Sequence, residues 1–104
     1  MGQRRRALLD TGSHVNLIRR DTYTRLRNKG QLDKNNKICL QGVNGGKLKV
    51  YGKVEIPFSM GGVKMVQPFH VVEEMNRAII LGRQWMMCYG VRMYFDTKKN
   101  KNQG

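Results

Sequence analysis

The amino-acid sequence predicts a small, mostly β domain with a single short helix near its C-terminus. Apolar residues alternate with polar ones from position 38 to position 58, and an unbroken apolar run follows at residues 78–81. Alternation indicates strands with one buried face, whereas a short continuous apolar run is typical of a fully buried strand. The chain has 104 residues, and its 12 glycines are spread along it rather than gathered in a linker, so we predict one domain.

The first apolar run is short and ends in a turn. Residues 7–9 are Ala-Leu-Leu, and Asp10 follows them directly. Residues 11–13, Thr-Gly-Ser, have the small and polar composition of a tight turn, so we expect a strand that delivers Asp10 to a loop. Apolar residues resume within residues 15–18, and Asp21 stands where it would cap a following helical turn.

Residues 38–58 predict a long hairpin. Asn44 and Gly45 form the preferred dipeptide for a two-residue turn with positive backbone dihedral angles, and further glycines beside them would make the tip mobile. Residues 59–62, Ser-Met-Gly-Gly, predict a second turn, which would return the chain into apolar residues between positions 63 and 72.

The C-terminal part of the sequence predicts a strand, a helix and a last strand. Residues 78–81 are expected to form a buried strand, residues 84–89 lack helix breakers and predict a short helix, and residues 91–95 are rich in β-formers. Beyond Asp96 the chain holds only polar residues and glycine, which bury too little surface to be ordered. The predicted organisation is therefore a basic N-terminal end at 1–6, a folded domain at 7–96 and a basic disordered tail at 97–104.

The net charge of the chain is strongly positive. Lys and Arg total 20 against 7 Asp and Glu, which gives a formal charge of +13 and an attraction to polyanions, nucleic acid first. Among the central basic residues only one aromatic, Tyr23, is interleaved, which is too few for stacking on successive single-stranded bases. A solvated, generally basic surface is therefore favoured over a dedicated nucleic-acid site, and we expect at most weak, nonspecific nucleic-acid association.

Two cysteines, Cys39 and Cys88, bear on compartment and cofactors. They make no disulfide framework, and neither has a partner at metal-ligand spacing, so we expect reduced thiols, no metal and no cofactor. No apolar run approaches the roughly twenty residues of a membrane span, and the N-terminus has no secretory apolar region. We expect an intracellular, reducing setting without membrane attachment.

Two runs, far apart along the chain, carry a resemblance to a known family. Leu8 and Leu9 precede the Asp-Thr-Gly-Ser run at residues 10–13, and residues 80–83, Ile-Leu-Gly-Arg, lead into the predicted helix and last strand. A glycine-tipped hairpin lies between them. This order of elements resembles the retropepsins, the aspartic proteases of retroviruses and related retrotransposons, over residues 7–96.

The resemblance implies a small, closed, acid-protease-like β fold with a flap hairpin, and an aspartic endopeptidase that is active as a homodimer. Each chain would give one catalytic Asp10, which with its copy activates water to hydrolyse a polypeptide substrate, such as a retroelement or retroviral polyprotein, inside a cell or a virus-like particle. The implied site residues are Asp10, Thr11, Gly12 and Ser13 for catalysis; Leu8, Val43, Asn44, Gly45, Gly46 and Leu81 for substrate binding; and Ile80, Gly82 and Arg83 for structural support.

Two further contacts are implied within one chain. Ser13 would donate its hydroxyl to the carboxylate of Asp10. His14 stands where viral members often carry an acid that pairs with the arginine at position 83, which leaves Asp21 as the nearest candidate partner for Arg83.

Other interpretations of the sequence stay open. Asp10 taken alone is a common turn aspartate, and a domain of this fold that has lost dimerisation would serve as a module that binds protein or RNA. The charge and the few residues before Asp10 favour that alternative. A Gag-like nucleic-acid-binding fragment lacks the Cys and His spacing of a zinc knuckle. The intact run at residues 10–13 favours the enzyme, because a domain relieved of catalysis has no physical reason to keep an aspartate facing its own copy.

Overall fold

The computed structural model describes residues 4–42 and 45–88, which contain one five-stranded sheet and two short helices. The elements are, in chain order, β1 (Leu8–Leu9), β2 (Leu17–Arg19), α1 (Arg20–Arg25), β3 (Val50–Met60), β4 (Val63–Val72), β5 (Ile79–Leu81) and α2 (Arg83–Cys88). The strands lie side by side in the order β1-β5-β2-β4-β3. The predicted mostly β class is confirmed. The predictions of a last strand at 91–95 and a tail at 97–104 fall outside the described residues.

The longest feature of the sheet is the antiparallel hairpin of β3 and β4. Met60 pairs with Val63, so Gly61 and Gly62 alone form its turn, with φ angles of 58° and 82°. Two consecutive positive φ angles suit a two-residue turn between twisted strands, and glycine adopts them without strain. The turn predicted at residues 59–62 is therefore confirmed.

The hairpin predicted for residues 38–58 has different bounds in the structure. A short reversal, which we call the tip hairpin (residues 40–48), includes a bond from the Leu48 N–H to the Leu40 carbonyl of 2.9 Å. The chain then enters β3, whose partner is β4 rather than the segment before it. Alternation reveals which residues share a face but not which strand is the partner, so the apolar pattern runs through the boundary between two hairpins.

Apolar side chains of the sheet divide between two clusters on its opposite faces. The main core is the larger cluster and consists of buried Ile18, Val54, Ile56, Met65, Phe69, Val71, Leu81, Trp85 and Met86. The small core consists of Leu17, Val50 and Val72, against which Val15, Leu40, Met75 and Ile80 pack. Strand alternation explains the division, because successive residues such as Leu17 and Ile18 point to opposite faces.

Helix α1 follows β2 without a side-chain cap. Arg19 occupies the N-cap position and makes no capping bond, while Asp21 lies inside the first turn and pairs with Arg19 Nε at 2.8 Å. The prediction that Asp21 caps this helix is therefore wrong, although its carboxylate lies near the positive end of the helix dipole. At the other end, Lys29 Nζ donates to the carbonyls of Tyr23 and Leu26 at 3.0 and 3.1 Å, which satisfies groups that the helix leaves open.

Helix α2 begins at Arg83, one residue before the predicted start. Trp85 and Met86 of this helix are buried in the main core, whereas Met87 is 79% exposed. Tyr89, the predicted last helical residue, lies outside the described part of the chain. No helix in that part has the length and apolar character that crossing a membrane requires.

Candidate active site

Asp10 lies at the end of β1, where the neighbouring strand holds its backbone. β1 pairs in parallel with β5, with Leu8 opposite Ile80 and Leu9 opposite Leu81. The ladder continues by one more bond, because the Asp10 N–H donates to the Leu81 carbonyl at 3.0 Å. The sheet therefore fixes the point at which the chain delivers this carboxylate.

The turn after Asp10 orients its carboxylate. The Gly12 N–H donates to Asp10 Oδ1 at 2.8 Å, and the Ser13 N–H donates to the Asp10 carbonyl at 3.1 Å. A Cβ on residue 12 would lie 3.1 Å from the same Oδ1, which is tighter than an ordinary contact. Gly12 thus permits a close approach of the backbone to the carboxylate, and Thr11 is exposed beside it.

The side chain of Ser13 does not donate to Asp10. Its hydroxyl donates to the Val15 carbonyl at 2.7 Å, two residues further along the chain. A hydroxyl has one hydrogen to donate, so the predicted bond from Ser13 to the carboxylate is wrong. A local bond from serine to a nearby backbone group is typical of turns, and here it braces the Asp10 loop.

The support beneath the loop centres on Gly82. Its N–H donates to Asn16 Oδ1 at 2.9 Å in a buried position. A Cβ on residue 82 would lie 2.7 Å from the Ser13 carbonyl oxygen and closer still to that of Val15, so no larger residue fits without a shift of the backbone. The Arg83 N–H donates to the same Ser13 carbonyl at 2.8 Å. The start of α2 therefore packs directly against the Asp10 loop.

Asn16 is a site residue that the sequence analysis missed. It is 3% exposed, and while its Oδ1 accepts from Gly82, its Nδ2 donates to the Pro68 carbonyl at 3.0 Å. One amide thus ties the loop to Gly82, the residue before α2, and to β4. The available signal was a polar residue between Val15 and Leu17, because a buried amide in an apolar run needs hydrogen-bond partners.

Ile80 and Leu81 lie on opposite faces of the sheet. Leu8 pairs with Ile80, and Ile80 pairs with Leu17, so these three side chains share the small-core face. Leu81 points to the other face, where it is 1% exposed in the main core. Ile80 therefore lies on the same side as Leu8, and Leu81 supports the sheet from behind.

Asp21 and Arg83, which were suggested as an ion pair, do not pair in the structure. The Arg83 side chain is exposed, and Asp21 pairs with Arg19 two residues away, so the suggested pair of Asp21 with Arg83 is wrong. Within the described residues, no three His, Cys, Asp or Glu side chains come together as metal ligands would.

The tip hairpin carries the other predicted substrate contacts. Gly45 and Gly46 are exposed at its end, and Gly45 has a φ of 81° that favours glycine. The Gly45 N–H donates to the Gly42 carbonyl at 3.0 Å, and the Gly42 N–H donates to the Gly46 carbonyl at 2.6 Å. Val43 and Asn44 lie outside the described residues.

The tip hairpin packs on the face of the sheet to which Asp10 belongs. One row of paired residues crosses this face from β1 to β3: Leu8, Ile80, Leu17, His70 and Lys53. Asp10 extends the β1 ladder two positions beyond Leu8, and alternation therefore places it on the same side. Leu40 of the tip hairpin packs against the small core on this face. This face, which carries Asp10 and Leu40, is therefore the candidate substrate-binding face.

Comparison with solved structures shows that this is the fold of retroviral proteases. EIAV protease complexed with the inhibitor HBY-793 matches with a TM-score of 0.70 and 22% identity, over 86% of this chain and 80% of that one. The retroviral protease-like domain of Ddi1 from Leishmania major matches with a TM-score of 0.65 and 21% identity, over 88% and 71%. No curated protein matches the sequence.

The sequence itself shows the family. A family model described as aspartyl protease matches residues 1–85, a span that includes the Asp10 loop, the tip hairpin and Gly82. The chain belongs to the aspartyl protease family, and its fold is that of retroviral proteases.

Proposed function

We propose that the chain is an aspartic endopeptidase active as a homodimer, with Asp10 and its copy as the catalytic pair. The Asp10 loop carries the proposal, because it presents a carboxylate on a turn and orients it by the Gly12 N–H at 2.8 Å, in a chain of the aspartyl protease family. The sequence contains one Asp-Thr-Gly run. In the proposed enzyme, the second carboxylate therefore comes from another copy.

Two carboxylates suit the reaction because the attacking water must lose a proton while the peptide carbonyl oxygen must accept one. At hydrogen-bond distance two like charges do not both ionise, so the pair holds one proton, an effect for which aspartic proteases are the standard example. The ionised member takes a proton from water as its oxygen bonds to the carbonyl carbon, and the protonated member donates to the carbonyl oxygen. Return of a proton to the amide nitrogen then accompanies cleavage of the C–N bond.

A two-fold axis would bring the two loops together, because it presents each residue of one chain to its own copy. Exposed apolar side chains are available for such a contact, since Leu9, which precedes Asp10, is 38% exposed and Met87 of α2 is 79% exposed. We assign these residues to the dimer contact. Thr11, exposed in the turn, would hydrogen-bond across the axis.

The proposed substrate is an extended polypeptide that lies between the tip hairpin and the row that begins at Leu8 and Ile80. An extended peptide can add to the site as a strand, in which case alternate side chains enter pockets and determine specificity. Gly45 and Gly46 would let the hairpin close over the peptide and exclude water. The fold shared with EIAV protease supports a retroelement or retroviral polyprotein as the substrate.

A second candidate function is a module without catalysis that binds protein or RNA. The observation that favours it is the net charge of +13, which attracts nucleic acid at low salt. In the enzyme, the same charge would give only weak, nonspecific association with nucleic acid. The exposed free thiol of Cys39 supports a reducing compartment under either function.

The test of the proposed function is cleavage of an unfolded, apolar-rich protein at mildly acidic pH over a range of enzyme concentrations. The chain is compared with Asp10→Asn and with a matched control, Asp33→Asn, which makes the same change at an exposed aspartate beside β3. We expect the wild type and the control to cleave with a rate that rises more steeply than linearly with concentration, and Asp10→Asn to be inactive while still folded by circular dichroism.

Cleavage by Asp10→Asn at the wild-type rate would refute the proposal. Absence of cleavage by all three proteins, together with sedimentation as monomers at high concentration, would favour the binding module.

A further inference from the structure

A groove lies over the main core, on the face of the sheet opposite to Asp10. Its volume is about 980 Å³. Main-core side chains, among them Ile56, Met65 and Phe69, form its floor, and residues 26–28 and the far end of the β3–β4 hairpin also line it. Ligand-binding clefts have volumes of about 300 to 1,000 Å³, so the groove is large enough to hold part of a bound molecule.

Apolar side chains at the far end of the hairpin are open to this groove. Phe58 is half-buried and stacks edge-on against Phe69, with ring centroids 5.8 Å apart, and Met60 is 38% exposed. Phe58 pairs with Met65 across the hairpin, so these side chains share the main-core face. A molecule bound in the groove would bury apolar surface that the chain leaves exposed to water.

The outer edge of β3 is covered along only part of its length. Lys53 and Glu55 make backbone hydrogen bonds of 2.8 to 3.1 Å with the segment at residues 30–33. Alternation turns the backbone of Pro57 and Ser59 to the same side, where neither makes a backbone bond with another described residue. Proline has no N–H and is tolerated at such edges. The Pro57 carbonyl and both backbone groups of Ser59 can therefore pair with an added strand.

The charged residues around the groove are basic. Arg5, Arg27 and Lys64 line it, and none of the described residues that line it is Asp or Glu. A positive rim attracts an acidic segment and repels a basic one. A second copy of the chain would bring a net charge of +13 to this rim, which disfavours it as the occupant.

We propose that this groove is a docking site for an extended segment of a partner protein, in which apolar and acidic side chains alternate and which adds as a strand to the edge of β3. Successive side chains of an added strand point to opposite faces, so its apolar ones would cover Phe58 and Met60. Its acidic ones would lie on the face that Lys64 shares with Ser59. Docking here leaves the face of Asp10 open, and it does not depend on the proposed catalysis.

The probe for this site is a fluorescent peptide of about eight residues, within the usual range of strand lengths, in which valine and glutamate alternate. Fluorescence anisotropy measures its binding to the Asp10→Asn protein, so that cleavage does not interfere. A peptide with lysine in place of glutamate is the matched control. We expect saturable binding of the glutamate peptide, and at least about tenfold weaker binding of the lysine peptide, because the rim repels it.

Two charge-reversed proteins test the role of the rim. Arg5→Glu combined with Lys64→Glu reverses two charges that line the groove. Lys34→Glu combined with Lys37→Glu makes the same change in net charge at exposed lysines that do not line it. We expect the first protein to bind the glutamate peptide about tenfold more weakly and the second about twofold more weakly at most, since only the general field changes there.

The edge contact is tested through the backbone. Ser59→Pro removes the outward N–H and no bond to β4, so we expect several-fold weaker binding with a melting temperature close to that of the parent protein. In NMR spectra, the glutamate peptide should shift the amide signals of Ser59 and Lys64 and leave those of Gly12 and Gly45 unchanged.

Four results would overturn the proposal, and none requires an active enzyme. Absence of saturable binding is the first, and equal weakening by the two charge-reversed proteins, which would assign binding to the general charge of the chain, is the second. The third is a set of shifts at Gly12 and Gly45 in place of Ser59 and Lys64, which would put the peptide on the face of Asp10. The fourth is a dimer, seen by sedimentation, that Ser59→Pro dissociates, because the occupant would then be a second copy.

Discussion

The Asp10 loop and the tip hairpin, which we propose to bound one substrate cleft, differ in how tightly their surroundings hold the backbone. Under the loop, the hydrogen bonds of the buried Asn16 side chain and the tight fit of Gly82 constrain the backbone of residues 13–16. In the tip hairpin, Gly45 and Gly46 have nothing within 4 Å of where a Cβ would be. Catalytic groups need positions fixed by a supporting layer, whereas a cover over a substrate has to open, so the difference matches the division of labour that we propose.

The largest effect that would break this comparison is predicted for Gly82→Ala. The added Cβ would collide with the carbonyl oxygens of Ser13 and Val15, so we expect the free energy of unfolding to fall by about 3 kcal/mol, as overpacking at a rigid site does. Urea denaturation measures it. Gly46→Ala is the control, because its Cβ meets open space and should change stability by no more than about 0.5 kcal/mol. Equal effects of the two changes would show that the loop is not rigidly supported.

Asn16→Leu is predicted to have the next largest effect. It leaves the Gly82 N–H and the Pro68 carbonyl without their partner in a buried position, at a cost of about 2 kcal/mol or more. Thermal denaturation of this variant is compared with Asn76→Leu, which makes the same change at an exposed asparagine. An Asn16→Leu protein as stable as the Asn76→Leu protein would contradict the assigned role.

In the tip hairpin, Gly45→Ala is expected to cost less stability than the changes under the Asp10 loop. An L-residue at a φ of 81° is strained by about 1 kcal/mol, and Gly46, which has no positive φ, gives the matched Gly46→Ala control. We expect a small loss of melting temperature for Gly45→Ala only, with a larger proportional change in KM than in kcat if peptide cleavage is established. A change in kcat alone would separate this residue from substrate closure.

The smallest effect concerns pH at the base of the tip hairpin. A hydrogen bond from the Tyr51 hydroxyl, and then the Arg20 guanidinium at 3.4 Å, hold the pKa of Glu73 below its ordinary value of 4.5. A lowered carboxyl pKa gives stability that is present above 4.5 and is lost as the pH falls through the folded-state pKa. Glu73→Gln should therefore flatten the acid-side decline of the melting temperature slightly, whereas Glu74→Gln, at the exposed neighbour, should not. Equal slopes for the two variants would remove Glu73 from the account.

Local chemistry in the sequence predicted the turns and the residues near Asp10. The Gly61–Gly62 turn and the delivery of Asp10 from a short strand follow from residue types next to one another. The mostly β class follows from alternation, which is also a local pattern. These features did not require knowledge of which strands pair.

Features that depend on contacts between residues far apart along the chain were not predicted from the sequence. Alternation places Ile80 and Leu81 on opposite faces of the sheet but does not show which face is shared with Asp10, so the burial of Leu81 in the main core was not predicted. The Ser13 hydroxyl donates to the Val15 carbonyl, two residues away, rather than to the Asp10 carboxylate. The hydrogen bonds of the buried Asn16 side chain join residues that are 52 and 66 positions apart. Pairings at that separation are set by the folded sheet, since no short window of sequence contains both partners.

The most direct test of the central claim, that one Asp10 from each of two chains makes the site, is a subunit-mixing experiment. Wild type and Asp10→Asn are unfolded together in equal amounts, refolded at a fixed total concentration, and assayed for peptide cleavage. If the site needs both aspartates, only dimers of two wild-type chains cleave, and activity falls to about a quarter of the all-wild-type value. Activity of about one half would show that each chain acts alone, and would contradict the account.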